Sequence, residues 1–318
     1  MTHPASISDD AVAGPPLEFT GERFTPECVR EIWYEHWHRY VFARAFAPGR
    51  RVLDAACGEG YGSAMLADAA ASVLGVDIAD AAVAHARQRY AEHANLRFEQ
   101  GDCTALTCAD GQFDLIVSFE TLEHVAAQEA LIAGFARTLA PDGLLIISSP
   151  DKRTYSEKSG FRNEFHVREL YREELLALLR PHFPYVRLYA QKLLFQSAIW
   201  ALDEAAGSAQ VATSRDGEPQ PGFGYEPLYY IAVCARQAPG IELPGLALFG
   251  DAEESVYAHY NHEIRKNMGA GQRSAELEAE LAALRRKAHD TAEVQADPKG
   301  EVPPRRSGWR RWLPPGLR

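Results

Sequence analysis

The sequence lacks the cysteine patterns that would assign a function class at once. Five cysteines are scattered over 318 residues, and no two of them form a CxxC pair; they are Cys28, Cys57, Cys103, Cys108 and Cys234. A disulfide framework or a zinc ribbon needs regular spacing, so both are excluded. We expect reduced thiols.

Long apolar runs and an excess of basic residues are also missing. No apolar run approaches the ~18 residues that cross a bilayer. The start, MTHPASISDD, has neither the basic nor the apolar region of a signal peptide, so we expect a cytoplasmic protein. Lys and Arg number 33 against 44 Asp and Glu, a net charge of −11. That balance argues against nucleic acid as a partner, because a phosphate backbone needs a basic face.

The chain instead shows an alternation of short apolar strands and helical stretches from residue 50 onward. Strands are predicted at Arg51–Asp54, Ser72–Asp77, Leu96–Gln100, Phe113–Phe119 and Leu144–Ser148. Continuous apolar strands separated by helices indicate a parallel sheet covered on both faces. Its ligand site is expected at the carboxyl ends of the strands.

The pattern changes after Pro150. A helix is predicted at Arg168–Arg180, strands at Tyr185–Leu194 and Leu228–Ala235, and a long loop at Ala205–Pro227. The count predicts an α/β fold with a doubly wound, seven-stranded, mostly parallel sheet whose last strand inserts antiparallel. We divide the chain into an N-terminal helical segment (1–49), the sheet domain (50–236), a helical extension (237–300) and a basic tail (301–318).

The C-terminal part has two features of its own. Leu277, Leu281, Leu284 and Ala288 follow a helical spacing for about two heptads, which predicts an exposed helix or a homo-oligomer seam over 274–290. Residues 303–318 carry five arginines and two tryptophans without an acid. Such a tail is either disordered or contacts anionic lipid at the inner face of the membrane.

The strongest local motif is VLDAACGEGYGS, in which a strand ends and a glycine-bearing turn opens a helix. Gly58 and Gly60 allow a ligand to approach the backbone closely. Asp77, which ends the next strand, is placed to accept from a ribose diol. A dinucleotide fingerprint would place a third glycine where Ser63 stands. Asp54 repels a pyrophosphate and suits a ligand that carries an ammonium and a sulfonium.

Two more acidic side chains follow predicted strands. Asp102 comes after the third strand, next to Cys103, and Glu120 comes after the fourth, next to Phe119. Because parallel strands end at the same edge of a sheet, these acids together outline one nucleoside-shaped cleft.

These motifs resemble the class I S-adenosylmethionine-dependent methyltransferases over about residues 50 to 236. The resemblance rests on the glycine loop, the two aspartates, FDLIVSFETLEHV and the PDG turn before the fifth strand. It implies that the glycine loop holds the methionine part, that Asp77 binds the ribose and that Asp102 lies by the adenine. The expected cofactor contacts are Tyr34, Arg39, Asp54, Gly58, Gly60, Asp77, Ile78, Asp102, Cys103, Phe119 and Glu120.

The flanking segments carry a narrower resemblance. Three segments are similar to segments of methyltransferases of bacterial surface-polysaccharide synthesis: GERFTPECVREIWYEHWHRYVFAR, SSPDKRTYSE and RNEFHVRELY. The expected reaction is methyl transfer to a hydroxyl or phosphate oxygen of a glycan or glycolipid. Two alternatives stay open: a soluble small-molecule O-methyltransferase acting on a quinone or other metabolite, and a non-catalytic cofactor-binding scaffold.

Two histidines are the catalytic candidates. His124 follows the fourth strand at the mouth of the cleft, where an imidazole suits a general base; the alternative is that it shapes the cofactor pocket. His166 precedes a predicted helix on the acceptor side, or caps that helix. Tyr34 and Arg39 lie on an N-terminal helix that either covers the cofactor, with Arg39 reaching its carboxylate, or simply packs.

One helical triplet has metal-ligand spacing. His259, His262 and Glu263 share a helical face at i, i+3 and i+4. No further ligand is placed beside them, so we interpret them as a solvated face and predict no metal.

Overall fold

A computed structural model describes residues 31–199, 210–215 and 217–296. The chain divides into two compact units, Met1–Ser255 and Val256–Arg318. The predicted lipid contact of residues 303–318 lies outside the described residues.

The first unit is built on a seven-stranded sheet. The described residues form nine strands, seven in this sheet and two in a separate hairpin. Their bounds are β1 Arg51–Ala55, β2 Ser72–Asp77, β3 Leu96–Gln100, β4 Phe113–Ser118, β5 Leu139–Pro150, β6 Tyr185–Gln191, β7 Ala212–Arg215, β8 Glu218–Pro221 and β9 Tyr229–Ala235. The sheet order is β3-β2-β1-β4-β5-β9-β6, and β9 runs antiparallel to both of its neighbours. The predicted fold class, including the antiparallel last strand, is confirmed.

Helices cover both faces of this sheet. They are α1 Glu31–Arg44, α2 Tyr61–Ala67, α3 Asp80–Arg89, α4 Gln128–Thr138 and α5 Arg172–Leu179, and α6 Ser255–Ala296 follows as the long helix of the second unit. Alternation along β4 sends Leu115 and Val117 into one core and Ile116 into the other. Within the described part of the chain, none of the helices combines the length and apolarity needed to cross a bilayer.

The structure differs from the sequence prediction in the connections. The predicted loop at 205–227 contains the β7–β8 hairpin, whose turn uses Gly217 at φ 86°. Helix α5 begins four residues later than predicted, because the Glu174 carboxylate accepts the Tyr171 amide at 2.9 Å and so caps its first turn.

The second unit is described by α6. This helix runs unbroken for 42 residues, far beyond the two heptads recognised in the sequence. Leu277, Leu281 and Leu284 are exposed along it. A homo-oligomer seam through 274–290 stays a prediction.

Within the first unit, the segment after β9 packs back on the sheet and on α1. Leu243 is buried, and the Tyr189 hydroxyl donates to the carbonyl of Pro244 at 2.9 Å. The ring of Phe249 lies 5.5 Å from that of Trp33 on α1. Residues 243–249 therefore help to hold α1 against the sheet.

Gly62 gives a test of how tightly α1 packs on α2. A Cβ atom there would lie 2.0 Å from the Tyr40 ring, inside van der Waals contact. We expect Gly62→Ala to lower the free energy of unfolding by about 1–3 kcal/mol, the usual cost of overpacking, as measured by urea denaturation. Gly134→Ala on α4 is the matched control, because its Cβ would meet atoms only at 3.8 Å and beyond. Equal stability of the two variants would contradict the packing.

Candidate functional site

The glycine loop after β1 is a strained turn that the fold requires. Ala56, Gly58 and Gly60 all have positive φ, of 61°, 57° and 98°. A Cβ on Gly60 would lie 2.9 Å from both Ala86 and Phe98. The space beside Gly60 is therefore filled by the protein itself, and glycine is needed there for packing as well as for conformation.

Asp77 ties this loop to the end of β2. Its two carboxylate oxygens accept the amides of Gly58, at 2.8 Å, and Ala79, at 2.9 Å. A carboxylate offers about four lone-pair sites, so these two bonds leave it acceptor capacity for a diol. Asp77 is nearly buried at 7% exposure, and it lies at the sheet edge where the sequence predicted it.

Asp54 is buried beneath the loop. It accepts from the Ser63 hydroxyl at 2.6 Å and from the Tyr40 hydroxyl at 3.1 Å. Burial raises the pKa of Asp54 to about 7, against the lowering effect of those two hydrogen bonds. The structure therefore engages this carboxylate with protein hydroxyls.

Ile78, Asp102 and Cys103 line the neighbouring strand ends. The Ile78 side chain is 69% exposed directly after β2, an unusual place for a large apolar group. Asp102 is exposed and accepts the amide and hydroxyl of Thr104, at 2.8 and 2.7 Å. Cys103 is buried, which raises the pKa of its thiol to about 12. An exposed apolar surface beside an exposed carboxylate suits a flat base that carries an amino group.

Glu120 holds a strained position at the end of β4. Its φ is 49°, which costs a non-glycine residue of order 1–3 kcal/mol and is typical of functional sites. Ser148 on β5 secures it: the Ser148 hydroxyl accepts the Glu120 amide at 2.9 Å and donates to its carboxylate at 2.7 Å. The preceding Phe119 is buried edge-on against Tyr40, with ring centroids 5.0 Å apart.

Arg39 is a fully buried cation next to that carboxylate. Its Nε donates to Gln191 Oε1 at 2.8 Å, its guanidinium lies 4.4 Å from the centroid of the Tyr229 ring, and Nη2 is 3.5 Å from Glu120 Oε1. Among the described residues, neither Nη atom has a hydrogen-bond acceptor. Buried donors left unpaired are costly. The site therefore fits a ligand that brings an anionic group such as a carboxylate.

Tyr34 lies on the outer side of α1. Its hydroxyl accepts the amide of Asp251 at 3.4 Å, and its ring meets Phe249 at 5.9 Å. His38, one turn later, stacks on the same Phe249 ring. These contacts place Tyr34 on an aromatic pocket rather than beside the glycine loop.

The two catalytic candidates are brought together from opposite sides of the cleft. His124 ends a short 3₁₀ turn, Leu122–His124, and its Nδ1 is 3.1 Å from the carbonyl of Phe165. The rings of His124 and His166 meet edge to face at 4.9 Å. The Glu123 carbonyl accepts the amides of Val167 and Arg168 and so holds the two segments together.

Polar neighbours orient His166. Its Nδ1 lies 2.6 Å from Glu169 Oε1, and the Asn163 amide lies 3.0 Å from Nε2. Tyr155 stacks on the imidazole at 5.3 Å. This is the arrangement of an imidazole held in one tautomer by a carboxylate.

The sequence places Glu123 directly before His124 but does not indicate that its side chain is buried. Its side chain is fully buried, and neither carboxylate oxygen has a hydrogen-bond partner among the described residues. Burial, together with the charge of Glu120, raises the pKa of Glu123 well above its usual range. It lies 3.9 Å from His124 Nε2.

Three residues of the site were not predicted from the sequence, although each has a sequence signal: Gln191, Tyr229 and Ser148. Gln191 ends β6 and faces Tyr229, which begins β9, as a direct pair in the antiparallel ladder. Ser148 lies near the end of β5. A polar or aromatic residue at a predicted strand end is the pattern that would have found all three.

The high pKa of Asp54 makes a prediction for stability. The folded protein binds a proton at Asp54 up to about pH 7, whereas the unfolded chain releases it near pH 4. Stability from this group is therefore complete at low pH and is lost as pH rises toward 8. Between pH 5 and pH 8, we expect the free energy of unfolding of wild type to fall by about 2 kcal/mol relative to that of Asp54→Asn. Urea unfolding at both pH values measures this, with the exposed Asp102→Asn as control. A constant difference would contradict it.

Comparison with known proteins is consistent with this geometry. Residues 52–143 match the family described as "Methyltransferase domain". A probable S-adenosylmethionine-dependent methyltransferase of Mycolicibacterium smegmatis is 37% identical over 166 residues, 51% of this chain and 63% of the relative. A demethylmenaquinone methyltransferase of Beutenbergia cavernae is 34% identical over 129 residues, 39% of this chain and 52% of the relative. The chain thus spans less than two thirds of the length of either.

Among solved structures, the YcgJ protein of Bacillus subtilis is similar to this chain at 20% identity and a TM-score of 0.47, covering 64% of this chain and all of that one. The matched family falls on the strands that carry the glycine loop, Asp77 and Glu120. Over residues 52–143 the chain therefore resembles the methyltransferase-domain family, and several of its relatives are named as S-adenosylmethionine-dependent methyltransferases.

Proposed function

We propose that the protein transfers a methyl group from S-adenosylmethionine to a hydroxyl or phosphate oxygen of a glycan or glycolipid intermediate. The observation that carries the proposal is the facing pair of imidazoles, His124 and His166, beside the end of β4. Oxygen acceptors of high pKa need a group that receives their proton, and imidazole suits that work near neutrality.

The cofactor position follows from the buried charges. Arg39, whose Nη groups have no hydrogen-bond acceptor among the described residues, would hold the methionine carboxylate of S-adenosylmethionine. Asp77 would accept from its ribose, and Ile78 would pack on its adenine. The bound cofactor supplies an electrophilic methyl group on a sulfonium. For transfer, the methyl carbon and the acceptor oxygen would have to approach in line within about 3–3.5 Å.

We place the methyl acceptor beside the imidazole pair. Glu169 fixes the tautomer of His166, and the Phe165 carbonyl fixes the orientation of His124. We assign His124 as the first group to receive the acceptor's proton, with His166 next to it.

The glycan assignment rests on the segments that build the acceptor wall. SSPDKRTYSE contributes Tyr155 and RNEFHVRELY contributes His166, and the two rings stack on each other. These are the segments that resemble methyltransferases of surface-polysaccharide synthesis. Arg162 is exposed beside them, available to a phosphate.

A second candidate acceptor is a quinol or another flat metabolite. A pocket of about 400 Å³ opens beside α1, with aromatic walls that include Tyr34, Phe223, Tyr225 and Phe249. Rings of this kind bind flat apolar molecules. The demethylmenaquinone methyltransferase relative is named for such an acceptor.

Asp77 tests the cofactor site. We expect Asp77→Ala to weaken binding of S-adenosylmethionine at least tenfold in titration calorimetry, since it loses the ribose acceptor and the anchor of the glycine loop. Asp80→Ala, an exposed aspartate three residues later, is the matched control and should bind as wild type. Unchanged affinity of a folded Asp77→Ala protein would place the cofactor elsewhere.

His124 tests the reaction. We expect His124→Ala to bind S-adenosylmethionine normally but to form S-adenosylhomocysteine about 10²–10⁴-fold more slowly, the usual loss for a general base. His182→Ala, half-buried at the end of α5, serves as control. The assay compares sugar phosphates with a naphthoquinol, so that the acceptor class is read from the same experiment. Normal turnover by His124→Ala would exclude His124 as the general base. Cofactor binding by wild type without turnover on any tested acceptor would favour a non-catalytic scaffold.

A further inference from the structure

The residues around His124 contain a set of donors that the methyl-transfer proposal does not fully use. Glu123, His124 and His166 each present a ligand atom, and these atoms all lie within 4.8 Å of one another. One carboxylate and two imidazoles form a donor set that divalent transition ions, zinc above all, prefer in proteins.

The buried Glu123 carboxyl is the strongest reason to expect a ligand here. It is fully buried, with both oxygens lacking a hydrogen-bond partner among the described residues. An unpaired buried carboxyl is unfavourable unless something compensates it. A cation bonded to one of its oxygens would do so.

Outer contacts already orient the donors as they would around a metal. The Nδ1 of His124 faces the Phe165 carbonyl, and the Nδ1 of His166 faces the Glu169 carboxylate. Metal-bound histidines commonly donate their second ring N–H to such a carbonyl or carboxylate. Coordination would then use Nε2 of each ring, so Asn163 must withdraw its amide from His166 Nε2.

We propose that Glu123, His124 and His166 form a binding site for a divalent transition-metal ion. Two ligands on a tetrahedral zinc ion lie about 3.3 Å apart, as bonds of ~2.0–2.1 Å require. The side chains must therefore close inward from their present separation. Three protein ligands leave a coordination position open, as catalytic zinc sites do.

The open position would face the acceptor. A hydroxyl bound to the ion there would lose its proton to water more readily. With the ion bound, His124 would be a ligand, and it would receive the acceptor's proton only in the ion-free protein. This role rests on the proposed methyl transfer, whereas binding of the ion does not.

The test is a titration of the full-length protein, freed of metal with a chelator and kept without cofactor. Zn²⁺ is followed by calorimetry and Co²⁺ by its visible absorption, with Mg²⁺ as a hard-ion comparison. We expect wild type to bind Zn²⁺ and Co²⁺ in preference to Mg²⁺. His124→Ala and His166→Ala should each weaken binding at least tenfold. Glu123→Gln, which keeps the shape of the side chain, should also weaken binding at least tenfold. It keeps the test informative if an alanine variant fails to fold.

The chain supplies its own control. His259→Ala/His262→Ala removes both histidines of the His259–His262–Glu263 triplet on α6. This variant should bind Zn²⁺ as wild type does. Loss of binding in that variant, retention of binding in the three cluster variants, or no binding by wild type would each overturn the proposal. A thiolate-to-cobalt charge-transfer band would also overturn it, because it would assign the ion to a cysteine. Since these titrations contain no S-adenosylmethionine, failure of the metal site and failure of the methyl-transfer proposal are read separately.

Discussion

The buried guanidinium of Arg39 is the interaction on which the candidate site depends. A cation without solvent is stable only when surrounding groups compensate it. Here Glu120 in the loop after β4, Gln191 on β6 and the Tyr229 ring on β9 do so. The same contacts fasten α1 across the carboxyl edge of the sheet. Its Nη atoms have no hydrogen-bond acceptor among the described residues, although Nη2 lies 3.5 Å from Glu120 Oε1. The arrangement that holds the fold together therefore also prepares an anion site.

Strain and burial are concentrated at this edge. The positive φ values of Ala56 and Glu120 and the raised pKa of Asp54 and of Glu123 all occur at the carboxyl ends of β1 and β4 or in the loops that follow them. Each is unfavourable to stability by itself and persists because the surrounding sheet dictates the conformation. Parallel strands explain the concentration, since their carboxyl ends converge on one edge while the helices cover the two faces.

Most of the fold could be predicted from the sequence, and about half of the site. Strand positions followed from apolar runs, because a strand buried on both faces has no polar side. The antiparallel insertion of β9 followed from the count of elements after Pro150. Gly60 and Asp77 were found because the turn after β1 restricts which residues fit. The β7–β8 hairpin and the full length of α6 were not found, since glycine-rich and charged stretches leave several local structures equally favourable.

The sequence by itself determined the order of strands and helices, the glycine turn and the acidic strand ends, because these depend on neighbours a few residues apart. Only the tertiary structure decided the partners. Arg39 meets Gln191 from 152 positions away, and His124 meets His166 across a loop that returns after β5. Such pairings depend on how strands align and how the chain folds back. No local periodicity encodes that, and so the unpaired carboxyl of Glu123 emerged only once the chain was folded around it.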